Sequence, residues 1–225
     1  MMMKTENYTE VKPNFARAYS KANEILVRSS VISSFPFSPI QLVSEQTDYV
    51  CRTFAKARKY GVDMRDFGSD SAVIMTMGGK TIIFYDESKT SSHVGFSILH
   101  EFGHPINGHD FTVSDEETYG RYEIETNYFA AQLLMPEQIL RELQSRGVRI
   151  TKTFLQTKFG VSGEAAEKRI LTLAKTNIEW YSRAEREFDD VILLKYAAFL
   201  NDICPKKADY AEVDYERQRE RDRWY

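Results

Sequence analysis

Residues 94–104 read Val94-Gly95-Phe96-Ser97-Ile98-Leu99-His100-Glu101-Phe102-Gly103-His104, an apolar run that closes on an H-E-x-x-H pattern. On an α-helix, residues four apart lie one above the other with Cβ atoms about 5–6 Å apart, so the imidazoles of His100 and His104 leave one face and can grip one ion. Zinc suits that grip, because it accepts neutral imidazole nitrogen and, in a catalytic site, uses three protein ligands and keeps the fourth position open. Glu101 then lies beside the metal without binding it, placed to take a proton from water and pass it to a leaving amine. The spacing encodes a hydrolysis. H-E-x-x-H fixes only three residues, however, and also arises by chance on ordinary helices, so a third ligand has to decide.

Immediately upstream, 72–77 and 81–85 are short β-rich runs separated by Gly78-Gly79. Paired glycines allow the positive φ angles of a tight turn, so this reads as an antiparallel hairpin. It would wall one side of a cleft and offer an edge to an extended peptide. Further upstream, 14–29 has helical spacing at Phe15, Ala18, Ala22, Ile25 and Leu26. After a break with two prolines, a helix opening at Pro39 is expected to hold Val43, Val50, Phe54 and Ala57 inward and to stop at Gly61.

Downstream, Pro105 has no amide to bond back to Glu101, so the helix should kink or end there. Gly108 and His109 suggest H-E-x-x-H-x-x-G-x-x-H, but that pattern wants glycine at 107 and histidine at 110, where this chain has Asn107 and Asp110. His109 is therefore expected to be structural or to support a ligand, and His93 to be solvated.

The next helix opens at Ser114-Asp115-Glu116-Glu117, with serine followed three residues on by glutamate as in a capping box, and is stopped by Pro136. Two acids on it compete for the metal. At about 100° per residue, Glu123 shares a side with Asn127, Ala130 and Leu134, next to Thr126, Phe129 and Leu133. Glu125 falls with Arg121, Tyr128 and Gln132, toward water. Glu123 is the better third ligand on this wheel, and Asn127, one turn beyond, can orient a ligating imidazole.

His100-Glu101-Phe102-Gly103-His104, followed about twenty residues later by Glu123-Ile124-Glu125-Thr126-Asn127-Tyr128-Phe129-Ala130-Ala131-Gln132-Leu133-Leu134-Met135-Pro136, resembles the ImmA/IrrE family of metallopeptidases, with its H-E-x-G-H and E-x-E-x-N-x-F-A-x-x-L-L-M-P motifs. The resemblance covers about a third of the chain. It implies a zincin-like fold, Zn2+ held by His100, His104 and Glu123, Glu101 as catalytic base, and cleavage of repressor or regulator proteins of phages and mobile elements. Pro105 departs from the aliphatic residue usual after the second histidine, Thr126 stands where alanine is more common, and no helix-turn-helix module is read at the N-terminus.

Beyond Pro136 the chain is again helical. Segments 137–146 and 151–159 end at Gly147 and Gly160, Ser162 caps a third helix reaching Lys175, and 178–203 is expected to form one long amphipathic helix. The corner at 155–162 has the form of a helix-turn-helix, in a stretch where Lys152, Lys158, Lys168, Arg169 and Lys175 exceed Glu164 and Glu167. This raises a rival reading, a DNA-binding or non-catalytic zinc-containing regulator, although helix corners with glycine are also packing devices. The expected organisation is α+β, with a metallopeptidase domain at 14–146, a helical part at 147–204, and at 205–225 a charged tail that either docks a partner or is solvated.

Composition sets the outer bounds. With 225 residues, 42% hydrophobic and 13% aromatic, the chain can bury a core. A net charge of −3 gives no general affinity for nucleic acid or anionic membrane. Only Cys51 and Cys204 are present, without a C-x-x-C pair, and no run approaches the length of a membrane span, so a reduced, cytoplasmic protein is expected.

Overall fold

Helix α1 (Phe15–Arg28) starts where the Asn14 side chain accepts from the Arg17 amide, and it buries Ala18, Tyr19, Ala22, Ile25 and Leu26. The computed structural model describes residues 12–63, 67, 71–113, 115–205 and 219. Pro39 opens α2 (Pro39–Gln46) in its first turn, as its fixed φ favours. The single helix expected from Pro39 to Gly61 does not form. Instead α2 stops at Thr47, whose hydroxyl bonds the Val43 carbonyl at 2.9 Å. Strand β1 (Val50–Thr53) follows, and Thr53 then caps α3 (Phe54–Lys59). Tertiary pairing overrides the helical spacing here, because β1 gives β3 a second partner.

Strands β2 (Ala72–Met77) and β3 (Lys80–Tyr85) form the expected hairpin, antiparallel with Ile74 opposite Ile83, and Gly78 and Gly79 both take positive φ, at 57° and 75°. The sheet is mixed, because β1 pairs with β3 in parallel, Cys51 opposite Ile83. Among the described residues, the order β1-β3-β2 leaves β2 as an edge.

Helix α4 (Ser91–Ile106) packs against β2, β3 and α5 (Glu116–Leu134). Pro105 is accommodated because α4 ends one residue later, where Asn107 Nδ2 caps the Gly103 carbonyl at 2.8 Å. Asp115 is the N-cap of α5, accepting from the Thr118 amide at 2.7 Å; Ser114, expected in that role, lies outside the described residues. Helix α5 packs between α4 and α1 and buries residues on both sides, including Glu125, Thr126, Phe129, Gln132 and Leu133.

Helices α6 (Glu137–Ser145), α7 (Lys152–Phe159) and α8 (Gly163–Lys175) follow as the caps suggest, with Gly160 left-handed at φ 66° and Ser162 accepting from the Ala165 amide. The long helix expected at 178–203 is broken into a 3-10 turn (Ile178–Trp180), α9 (Asp189–Lys195) and α10 (Ala197–Ile203). The last break has a clear cause. Tyr196 leaves helical geometry, and its hydroxyl donates to the carbonyls of Leu26 (2.9 Å) and Ile32 (3.2 Å). Lys195 Nζ reaches the Leu26 and Ser29 carbonyls. Together they satisfy backbone acceptors that the end of α1 leaves open. One apolar core joins Ala18 on α1 to Leu200 on α10. The expected tail at 205–225 lies outside the described residues except at 205 and 219.

Candidate metal centre

Helix α4 presents His100 and His104 one turn apart, and α5 brings Glu123 across from both. His100 Nε2 is 3.1 Å from Glu123 Oε2, and His104 Nε2 is 3.4 Å from Glu123 Oε1. One ligand atom from each residue lies within 4.8 Å of the others, so the three read from the sequence stand together. The two helices can come this close because residue 103 is glycine. A Cβ there would lie 2.9 Å from the Phe129 ring and 3.3 Å from Thr126 Cγ2, closer than packed atoms allow.

A chain of hydrogen bonds behind His104 fixes its protons. The Glu125 carboxylate only accepts, so His109 Nε2, 3.0 Å from Glu125 Oε2, carries the proton of that contact. Burial pushes the His109 imidazole below its usual pKa, overcoming the opposite pull of Glu125, which keeps the ring neutral. Its Nδ1 is then an acceptor, 3.1 Å from His104 Nδ1, which must donate. His104 Nε2 faces the Glu123 oxygen, where the ring and the carboxylate can share either a proton or a metal ion. Two imidazole nitrogens and a carboxylate brought to one point fit a metal ion by residue type.

His100 is oriented separately, with Nδ1 3.1 Å from Asn127 Oδ1. Burial works against the charged form of Glu123, but hydrogen bonds from His100 and His104 hold its carboxyl well below the usual range. Glu101 stands outside the triad, its Oε2 accepting from the Ile74 amide of β2 at 3.1 Å. Burial raises its pKa, while His100, His104 and the Ile74 amide pull it back. A carboxylate tuned upward in this way is a better proton acceptor near neutral pH.

The structure corrects the reading of Glu125. It does not face water. The residue is 4% exposed, and its oxygens take the Arg17 guanidinium at 2.6 Å, the Asn14 amide at 2.7 Å and His109. The missing neighbour in the sequence reading is α1, which covers the side of α5 assigned to solvent. Asn14, Arg17 and the Ile74 amide carried no motif that pointed to the site. Tyr122, which stacks on His109 with centroids 4.0 Å apart and planes at 6°, could have been found by its place one turn before Thr126. His93 is exposed and bonds Ser71 at 2.8 Å, away from the triad.

Lys152 pairs with Glu167 at 2.5 Å, Lys168 with Glu164 at 2.7 Å, and Arg169 is 1% exposed. Among the described residues, no helix is long and apolar enough to cross a membrane.

The chain matches the family described as the IrrE N-terminal-like domain, a peptidase family, over residues 52–171, more than half its length. The matched span begins within β1 and holds β2, β3, α4, α5 and every member of the triad. Among curated proteins, none matches the chain.

Proposed function

This chain belongs to the family of IrrE N-terminal-like domains and so carries a metallopeptidase-type domain with an α+β, zincin-like fold; from that premise we propose that it is a zinc-dependent endopeptidase cutting a regulator or repressor protein of phage or mobile-element type. The observation that carries this reading is the convergence of His100 Nε2 and His104 Nε2 on the two oxygens of Glu123, at 3.1 and 3.4 Å, with one ligand atom from each residue within 4.8 Å of the others. His100, His104 and Glu123 would hold zinc, and Glu101 would be the catalytic base. When bound, zinc supplies Lewis acidity that polarises a peptide carbonyl and makes water nucleophilic near neutral pH.

The chain's own residues do the remainder. Glu101, raised by burial, accepts the proton of the attacking water and returns it to the leaving amine. The Ile74 amide aims the carboxylate, and because backbone groups alternate along a strand, the free edge of β2 turns further donors and acceptors the same way. A peptide lying along that edge in extended form would pass beside Glu101. His109 and Asn127, each 3.1 Å from one imidazole's Nδ1, would hold that ring with its Nε2 toward the metal.

The test is Glu101→Gln against wild type, both loaded with zinc and offered a repressor encoded beside the gene. The amide keeps the shape of the side chain but is no base, so the variant should fold, retain metal and lose about 100-fold or more in cleavage rate, the usual worth of general-base catalysis. Equal rates would sink the mechanism.

A further inference from the structure

A groove of about 880 Å³ opens beside the triad, between α5 and α8, and its walls are largely apolar, formed by Phe15, Phe96, Ile124, Tyr128 and Leu171. It lies next to the candidate metal centre and shares neighbours with it, although His100, His104 and Glu123 do not line it. Asn127, which orients His100, lines it; Ile124 follows Glu123; and Phe96 stands one turn before His100 on α4. Several of these apolar side chains face solvent, with Phe15 46%, Ile124 47% and Leu171 60% exposed. The volume is that of a site for several side chains rather than one.

Beneath this apolar surface lies a charge without a counter-ion. Arg169, only 1% exposed, lines the groove. Two parts of its guanidinium have a structural task at the end of α5. Nε donates to the Met135 carbonyl at 2.9 Å, and Nη2 donates to Gln132 Oε1. Both acceptors are neutral. Nη1 is buried and makes no hydrogen bond of normal length among the described residues, and the Tyr128 hydroxyl is a further neutral neighbour of the guanidinium. The nearby carboxylate of Glu137 is already bound by Arg141 at 2.6 Å. A buried guanidinium with an unfilled donor and no anion in contact is costly, and an incoming carboxylate would relieve both deficits.

The rim carries charges of both signs. Lys175 lines the groove and has no ion-pair partner among the described residues, whereas Lys168 is matched by Glu164, and Glu185 is occupied by the amide and hydroxyl of Ser182.

We propose that this groove binds a segment of the peptide substrate in which an acidic side chain stands among apolar ones, the carboxylate seated against Arg169 and the apolar side chains against Ile124, Tyr128 and Leu171. The assignment rests on the peptidase reading, since it names the substrate class of that enzyme. A side-chain carboxylate is favoured over a chain terminus because a peptide that also reaches the neighbouring metal centre, past Asn127, continues beyond Arg169.

Calorimetric titration of the full chain carrying Glu101→Gln tests this without any need for cleavage, so a failed groove and a failed peptidase give different results. Three acetylated octapeptides serve as probes. The first has a leucine–glutamate–phenylalanine–leucine centre and an amidated end, the second has glutamine for glutamate, and the third is the glutamine peptide with a free terminal carboxylate. The glutamate peptide should bind at least about tenfold more tightly than its amidated glutamine counterpart, the scale of one charge-assisted hydrogen bond. Adding Arg169→Gln should erase that preference. Leu171→Glu, which places a negative charge on the exposed rim without touching the contacts of Arg169, should also reduce it, and covers the case in which Arg169→Gln fails to fold. No binding by any peptide, equal binding by the two amidated ones, an advantage confined to the free terminus, or a preference that survives in folded variants would each overturn the assignment.

Discussion

Glu123 and Glu125 leave the same helix two residues apart, and both meet histidine. Glu123 points toward α4 with its side chain 32% exposed, and its partners are the Nε2 atoms of His100 and His104. Glu125 points toward α1 with its side chain 5% exposed, and its partners are Arg17, the Asn14 amide and His109. The difference lies in what neutralises each carboxylate. Arg17 is a permanent cation, so the charge of Glu125 is already balanced and its lone pairs are largely spent. Imidazoles carry a proton or bind a metal ion with the same nitrogen, so Glu123 and its two histidine partners could share one metal ion between them. On the proposed reading, one glutamate would be a ligand and the other the anchor of the histidine behind a ligand.

The largest effect expected is on metal content. Glu123→Ala leaves two imidazoles, and two-point attachment should not keep zinc through dialysis against a mild chelator. Metal per chain should fall close to zero while circular dichroism is unchanged. Zinc retained in this variant and lost in Glu125→Ala would reverse the two roles.

Glu125→Ala tests the other half of the comparison. It strips the acceptor from the His109 Nε2 proton and the Asn14 amide and leaves Arg17 without its anion. Urea unfolding should show a loss of about 2–3 kcal/mol, the cost of buried donors left unpaired, where a solvent-facing glutamate would change stability by less than about 0.5 kcal/mol. Because His109 also fixes the tautomer of His104, zinc affinity should drop by about 10- to 100-fold rather than vanish. A loss of neither stability nor affinity would remove the anchor role. A smaller step along the same scale is Asn127→Ala, which frees the His100 ring on one side only and should weaken zinc by about tenfold, read by chelator competition.

The contrast between the glutamates also marks what could be read from the chain alone. The H-E-x-x-H spacing and the wheel around Glu123 bring three residues of α4 and α5 to one place, because those relations are set within single helices and by one pair of packed faces. Glu125 was misplaced because a helical wheel has a water side only when the helix has one neighbour, and α5 has two. Arg17 lies 108 residues from Glu125, and no local period reports such a contact. The same limit explains β1, whose strand geometry comes from pairing with β3, and the broken helix at 178–203, where Lys195 and Tyr196 turn aside to the end of α1. The hairpin and the glycine-capped helices were legible because Gly78, Gly79 and Gly160 take the positive φ that their positions require.

Thr126 gives the smallest and sharpest test, since it lies between the two glutamates and stands where alanine is more usual. Its hydroxyl is 3.3 Å from His100 Nδ1 and 3.4 Å from Nε2, nearly equal distances that put it along neither nitrogen's lone pair. The hydroxyl proton is directed instead to the carbonyls of Tyr122 at 3.0 Å and Glu123 at 3.1 Å, a bond to the preceding turn of its own helix. His100 already has Asn127 as its partner, so it does not depend on this hydroxyl. Thr126→Ala should therefore leave zinc affinity within about twofold. Its methyl fills the space above Gly103, so the variant should still lose about 1 kcal/mol, the cost of one buried methyl group. Zinc affinity falling as far as in Asn127→Ala would place Thr126 among the groups that orient His100, and would move the boundary between the ligand side and the anchor side of α5 to residue 126 itself.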